Sequence, residues 1–203
     1  LINSIDRLSG LNQDVPVLIS SLVEIAMQST LHRSIDWALV SHADAFDETH
    51  LTRFDAILAS HDQTSINWDG EGLFFHDSVR RVCDDQGNFS ATQFSNWQFS
   101  GPACSLPIAE LGPSAQRMLY VQHQCLAQGE SMTRLPWDES VESTESVLQR
   151  ERATLNKLGD LTLDIMMPSI DPAAGRERSF HQQAIGTRLA VAAYRHRLRH
   201  GAF

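Results

Sequence analysis

Nine histidines are the residues of this chain best suited to metal or acid–base chemistry, so their spacing is the first thing to weigh. His196 and His200 stand four apart and would share one helix face, the geometry of a two-histidine metal clip. Arg195, Arg197 and Arg199 surround them, and that positive field opposes a cation. His61-Asp62 and His76-Asp77 are adjacent pairs, the second ending an apolar run, Leu73-Phe74-Phe75. Nucleophile and phosphate motifs are absent: there is no Gly-x-Ser-x-Gly, Walker loop, dinucleotide fingerprint or His-Glu-x-x-His. Asp47/Glu48 and Asp84/Asp85 fall at expected helix ends, where capping and the helix dipole account for them. Asp164 lies in an apolar stretch, and an exposed turn is its simplest reading. Cys83, Cys104 and Cys125 are 21 residues apart, a spacing that fits neither a zinc knuckle nor a redox pair.

His76-Asp77 with the preceding Leu73-Phe74-Phe75 resembles the signature of HD-type metal-dependent phosphohydrolases, which are all-α. In that family an adjacent His and Asp, an earlier His and a later Asp bind one or two metals that activate water. The resemblance implies His42 or His50 as the earlier ligand and Asp160 or Asp164 as the later one. The pair continues here as Ser78-Val79-Arg80, where the family carries a small Gly-Lys or Gly-Arg. The plainer reading is a half-exposed histidine and a surface aspartate on a helix. No catalytic, cofactor-binding or metal-binding residue is therefore assigned, and the enzyme reading stays the alternative.

The elements that would position these residues are helical. Asp14 and Pro16 open a long helix carrying Leu18, Leu22, Ile25, Leu31, Ile35 and Leu39, backed by Ile19, Val23, Ala26 and Val40. So broad an apolar surface predicts a central helix contacted on more than one side. Asp47 caps a second helix facing inward with Leu51, Phe54, Ile57 and Leu58. A third covers about 68–83, with Phe74, Phe75, Val79 and Val82 in its pattern. From about 84 to 111 the periodicity disappears. Asp85-Gln86-Gly87-Asn88 reads as a turn, and Phe89, Phe94, Trp97 and Phe99 read as pins of a long loop onto the body, or as a binding lid. A helix then runs from Pro113 to about Ala127 and closes at Gly129. A polar helix follows over about 138–158 with Val141, Leu148 and Leu155 as a seam. A short apolar turn spans 161–167, and a last helix runs from about Ala173 to His200. The expectation is an all-α, irregular bundle of about seven helices with a long aromatic-containing loop.

The chain has 203 residues and a formal charge of −9, which disfavours a general nucleic-acid binder. Its one concentrated basic stretch is Arg188, Arg195, Arg197 and Arg199, read as a solvated face favouring the helix C-terminal dipole, with phosphate or anionic lipid as the alternative. No run of 18 apolar residues exists, so no segment within these residues crosses a membrane as a helix. The chain forms one domain over 1–203, with a possible subdivision into 1–111 and 112–203.

The segment Arg188 to Phe203, with Ala193-Tyr194-Arg195 and Gly201-Ala202-Phe203, resembles the end of the long helix of type II secretion pseudopilins. It is similar also to a group of uncharacterised, membrane-anchored bacterial envelope proteins, in which an alanine-rich helix reads Ala-Tyr-Arg and then Gly-x-Phe/Tyr. The resemblance implies an extracytoplasmic domain cut from a longer chain and anchored by a segment outside it. It implies a structural or interaction module whose partners are other envelope proteins or further copies of itself. It carries no catalytic residues.

Overall fold

The structure, a computed structural model, describes residues 18–95, 104–136, 139, 142–167 and 170–201. Among them every regular element is helical, apart from one antiparallel bridge between Cys83 and Phe89. The α-helices are α1 (Leu18–Ser41), α2 (Glu48–Ser60), α3 (Trp68–Val82), α4 (Ala91–Ser95), α5 (Pro113–Arg134), α6 (Thr144–Glu151), α7 (Lys157–Met166) and α8 (Ile170–His200). The fold is an all-α multi-helix bundle. It divides into two compact units, residues 1–66 with 176–203, and residues 67–175. The last helix returns to complete the N-terminal unit, so the boundaries of these units fall at 66/67 and 175/176.

In the first unit Leu31, Ile35 and Leu39 of α1 meet Leu51, Phe54 and Leu58 of α2 and Val191 of α8 in one apolar cluster. Each such side chain contributes roughly 1.5–3 kcal/mol on burial. On α1 the buried Leu18, Ser21, Ile25, Gln28, His32, Ile35 and Leu39 alternate by three and four and so line one face, with the buried Glu24 and Leu31 beside them. The N-terminal half of that face mixes polar side chains with Leu18 and Ile25. Gln28 Nε2 donates to Glu24 Oε1 at 2.9 Å, and His32 Nε2 meets His61 Nδ1 at 3.1 Å. The His32 ring is 0% exposed and stacks on both His61 and Phe180, with centroids 5.3 Å apart in each case.

Along the outside of the same unit runs a ladder of ion pairs. Glu48, Asp55 and Asp62 are seven residues apart, as are Arg188 and Arg195. Arg188 reaches Asp62 at 2.6 Å and Asp55 at 3.8 Å; Arg195 reaches Asp55 at 3.4 Å and Glu48 at 2.9 Å; Arg199 also pairs with Glu48. The carboxylate number falls as the arginine number rises, so α2 and α8 run antiparallel. Hydrogen bonds from Arg195 and Arg199 hold the Glu48 carboxyl below the usual carboxylate range. The basic C-terminal stretch is therefore not a simple solvated face: its own chain supplies the counter-charges.

In the second unit α5 packs against α3, α6 and α7. Side chains cap the helices at Asn67, Ser143 and Asn156, which accept from the backbone N–H of Gly70, Ser146 and Gly159. Asp47 caps α2 in the same way through His50, as the sequence predicts. The Asp14–Pro16 start of the first helix lies outside the described residues. Other expectations need correction. α5 continues through Gly129 to Arg134, because a Cβ at Gly129 would lie 2.5 Å from Ile170 Cγ2, so this glycine serves close packing rather than a stop. The polar helix over 138–158 is broken within its described part: α6 ends at Glu151, and Asn156 starts α7, which absorbs the expected 161–167 turn. α8 begins at Ile170, three residues early, with Pro172 in its first turn.

Two measurements test this arrangement. Burial, then the neighbouring His61, hold the His32 pKa down to about 4 from 6.5. The unfolded chain therefore binds the extra proton first, and stability is full above about pH 6.5 and falls as pH drops towards 4. Urea midpoints should show a loss of about 2 kcal/mol from this group between pH 7.5 and 5, and His32→Leu should flatten that slope. A double-mutant cycle of Arg188→Gln with Asp62→Asn should give a coupling of about 0.5 kcal/mol that shrinks at high salt, as for a half-exposed pair.

Candidate functional site

The second unit contains a groove of about 350 Å³ along the seam of α3 and α5. α3 contributes Trp68, Gly72 and His76, one turn apart on one face, with Asp69 and Leu73 beside them. α5 answers with Gln122, Leu126 and Glu130, and with His123 and Ala127 alongside. Asn67 fixes the start of α3 by capping, which makes the buried Trp68 its first residue. The Trp68 ring lies against Gly129, where an added Cβ would come within 3.1 Å of it. Two polar atoms of the lining residues are buried without a partner, Trp68 Nε1 and Gln122 Oε1. Burial, followed by the charges of His123 and Arg80, lowers the His76 pKa, so His76 is neutral at pH 7.

Of the phosphohydrolase-like set, His76 lines this groove, but Asp77 turns to an ion pair with Arg81 at 2.6 Å. Asp160 and Asp164 both pair with Arg152, the former at 2.8 Å. His42 and His50 belong to the other unit, and His50 is held by the capping residue Asp47 at 2.7 Å. Among the described residues no three His, Cys, Asp or Glu gather closely enough to hold a metal. His61-Asp62 is divided between two tasks, His61 on His32 and Asp62 on Arg188. His196 and His200 do lie side by side, with ring centroids 4.4 Å apart and ring planes tilted by 41°, at the exposed end of α8.

In the loop region, Asp84 Oδ1 accepts from Gln86 N–H and Asn88 N–H, and Gly87 takes a φ of +75° that favours glycine. Gly112 N–H then donates to Gly87 carbonyl at 2.7 Å, and Cys104 N–H to Arg80 carbonyl at 2.9 Å, which ties the segment down by backbone contacts. Of the aromatics expected to pin or cover, Trp97 and Phe99 lie outside the described residues.

A second feature belongs to the first unit. Ile19, Val23, Ala26, Thr30, Arg33, Trp37 and Val40 of α1 are all exposed and alternate by four and three. Ile19 is 74%, Trp37 63% and Val40 79% exposed. Thr30 Oγ1 donates to Ala26 carbonyl at 2.9 Å, so its polar group needs no outside partner. On α8 Ile185, Leu189 and Ala192 are exposed at the same spacing. The expected contact of α1 on more than one side is half realised in the first unit: one stripe is core, the other faces outward. Sequence reading missed the groove, since Gln122, His123 and Glu130 show no motif. Its visible trace was the Trp68, Gly72, His76 spacing.

The three cysteines are buried and unbonded. Burial pushes the Cys83 thiol up to about 12 and Cys125 up to about 11, which leaves them almost wholly as unreactive thiols. Ellman's reagent at pH 8 should therefore modify none of the three in the native protein over minutes and all three in denaturant. Comparison of the chain with protein-family models, with curated proteins and with solved structures finds no match in any of the three.

Proposed function

We propose that this chain is a non-catalytic helical interaction module of the bacterial cell envelope, and that it self-associates through the outward stripe of α1. The observation that carries this reading is the exposed four–three series from Ile19 to Val40. That spacing is the seam of a coiled coil, in which each side chain enters a hole on a facing helix. It lies on a helix whose opposite face already forms the unit's core, so the seam is surplus to folding. A helix apolar on both sides needs a second neighbour.

A second copy supplies one. In a parallel pair two Arg33 side chains would meet at one seam level. In an antiparallel pair Ile19 faces Trp37, Val23 faces Arg33 and Ala26 faces Thr30, which separates the like charges. The envelope placement rests on the likeness of Arg188–Phe203 to the envelope group. Among the described residues no helix is long and apolar enough to cross a membrane. The phosphohydrolase alternative has only the His76-Asp77 dipeptide behind it, because the carboxylates it needs are bound to arginines.

Sedimentation equilibrium tests the reading directly. The native chain should show a concentration-dependent dimer, and Trp37→Glu or Val23→Glu should leave a monomer of unchanged helical circular dichroism. A monomer at every concentration, or a dimer indifferent to both substitutions, would overturn self-association by this seam. Recovery of the native protein in the cytosolic fraction of a bacterial host would overturn the envelope placement.

A further inference from the structure

The α3–α5 groove is independent of that seam. Two of its lining positions, Gly72 on α3 and Ala127 on α5, carry little or no side chain. Gly72 stands in the middle of α3, where glycine disfavours a helix by roughly 0.5–1 kcal/mol relative to alanine. Crowding does not require it: the nearest atom to an added Cβ would be Leu126 Cδ1 at 3.7 Å, an ordinary contact. Ala127 leaves similar room on the α5 side. The resulting space is of the size of small-ligand sites, and its walls are mostly apolar.

Its polar groups are few and set apart. Gln122 is 1% exposed, and its Oε1 acceptor is buried without a hydrogen bond. Trp68 offers an indole N–H in the same condition. Each leaves a hydrogen bond unmade on a residue of the lining, though neither atom is itself open to the groove. The lining carries two carboxylates, Asp69 and Glu130, no lysine or arginine, and two imidazoles, His76 and His123. Glu130 is shared with Arg134, whereas Asp69 is exposed at the first turn of α3. A neutral His76 adds no repulsion to a cation. An anion would meet two carboxylates and no lining lysine or arginine.

We infer that this groove is a binding site for a small organic cation, an apolar or aromatic body carrying a protonated amine. The body lies against Trp68 and Leu126, and the ammonium is held by Asp69 and Glu130, with Trp68 available for a cation–π contact.

Three probes of one shape test it: phenethylamine as cation, 2-phenylethanol as neutral isostere and phenylacetate as anion, each titrated into the ¹⁵N-labelled full chain. Phenethylamine should shift α3 and α5 amides and the Trp68 indole resonance saturably, more tightly than the alcohol, with phenylacetate weakest. Asp69→Asn should weaken the amine about fivefold. Gly72→Leu should abolish binding while the melting temperature holds or rises. If that variant unfolds, Ala127→Leu fills the groove from the other wall. No saturable shift, an alcohol or carboxylate binding as well as the amine, or binding unchanged in the filled groove would overturn the proposal. None of these results depends on oligomeric state.

Discussion

The first unit depends on one long-range constraint: a helix 126 to 151 residues further along must dock on α2 in a single direction and register. The drive to dock is apolar, since Val191 completes a cluster otherwise made by α1 and α2 alone. Apolar packing tolerates sliding by a turn more readily than charge patterning does. Glu48, Asp55 and Asp62 against Arg188, Arg195 and Arg199 supply that discrimination, because reversing α8 would place its arginines away from the carboxylates. Half-exposed ion pairs add little net stability, so the ladder acts on specificity more than on free energy. Arginine suits the task, with a planar fork that can serve two carboxylates at once, as Arg195 does.

The second constraint is the partly polar half of the α1 inner face. A core of leucine and isoleucine could have run unbroken from Leu31 to Leu18, but Glu24, Gln28 and His32 are interleaved with Leu18 and Ile25. The network is incompletely satisfied: Gln28 Oε1 and His32 Nδ1 are buried without partners. Such a network stabilises less than an apolar core would, and its state changes with pH through His32. The N-terminal half of α1 is thereby the weaker half of the unit, and the C-terminal half, on Leu31, Ile35 and Leu39, the anchor.

What the sequence revealed follows the range of the interactions involved. Asp47 was legible as a cap because capping is settled within three residues. Asn67 and Asn156 each precede a glycine by three residues and cap in the same way. Asn156 is masked as a cap in the sequence, because Val141, Leu148 and Leu155 at intervals of seven imply one unbroken seam. Gly129 looked like a helix stop because glycine often ends helices; only Ile170, 41 positions on, makes it a packing glycine. The seven-residue spacing of the acidic and basic rows was in the sequence too, but nothing local says that they face each other. The groove was illegible for the same reason: its α3 and α5 walls are brought together by tertiary packing, and its defining feature is an absent side chain.

The outward stripe of α1 and the groove at Gly72 are opposite departures from efficient folding. On α1 the helix carries more apolar surface than its own unit buries, while at Gly72 it carries less side chain than its interface could hold. Both departures oppose stability in the isolated chain, through water contact in one case and lost packing in the other. Neither is enforced by local sterics, since Ile19 and Trp37 face open solvent and a Cβ at Gly72 would fit. Polar residues on the stripe and alanine at Gly72 would relieve each without touching the core cluster. Both features thus share one physical ground, a deficit that a contact from outside would fill, and on that ground rest the proposed helix partner and the proposed small-molecule ligand.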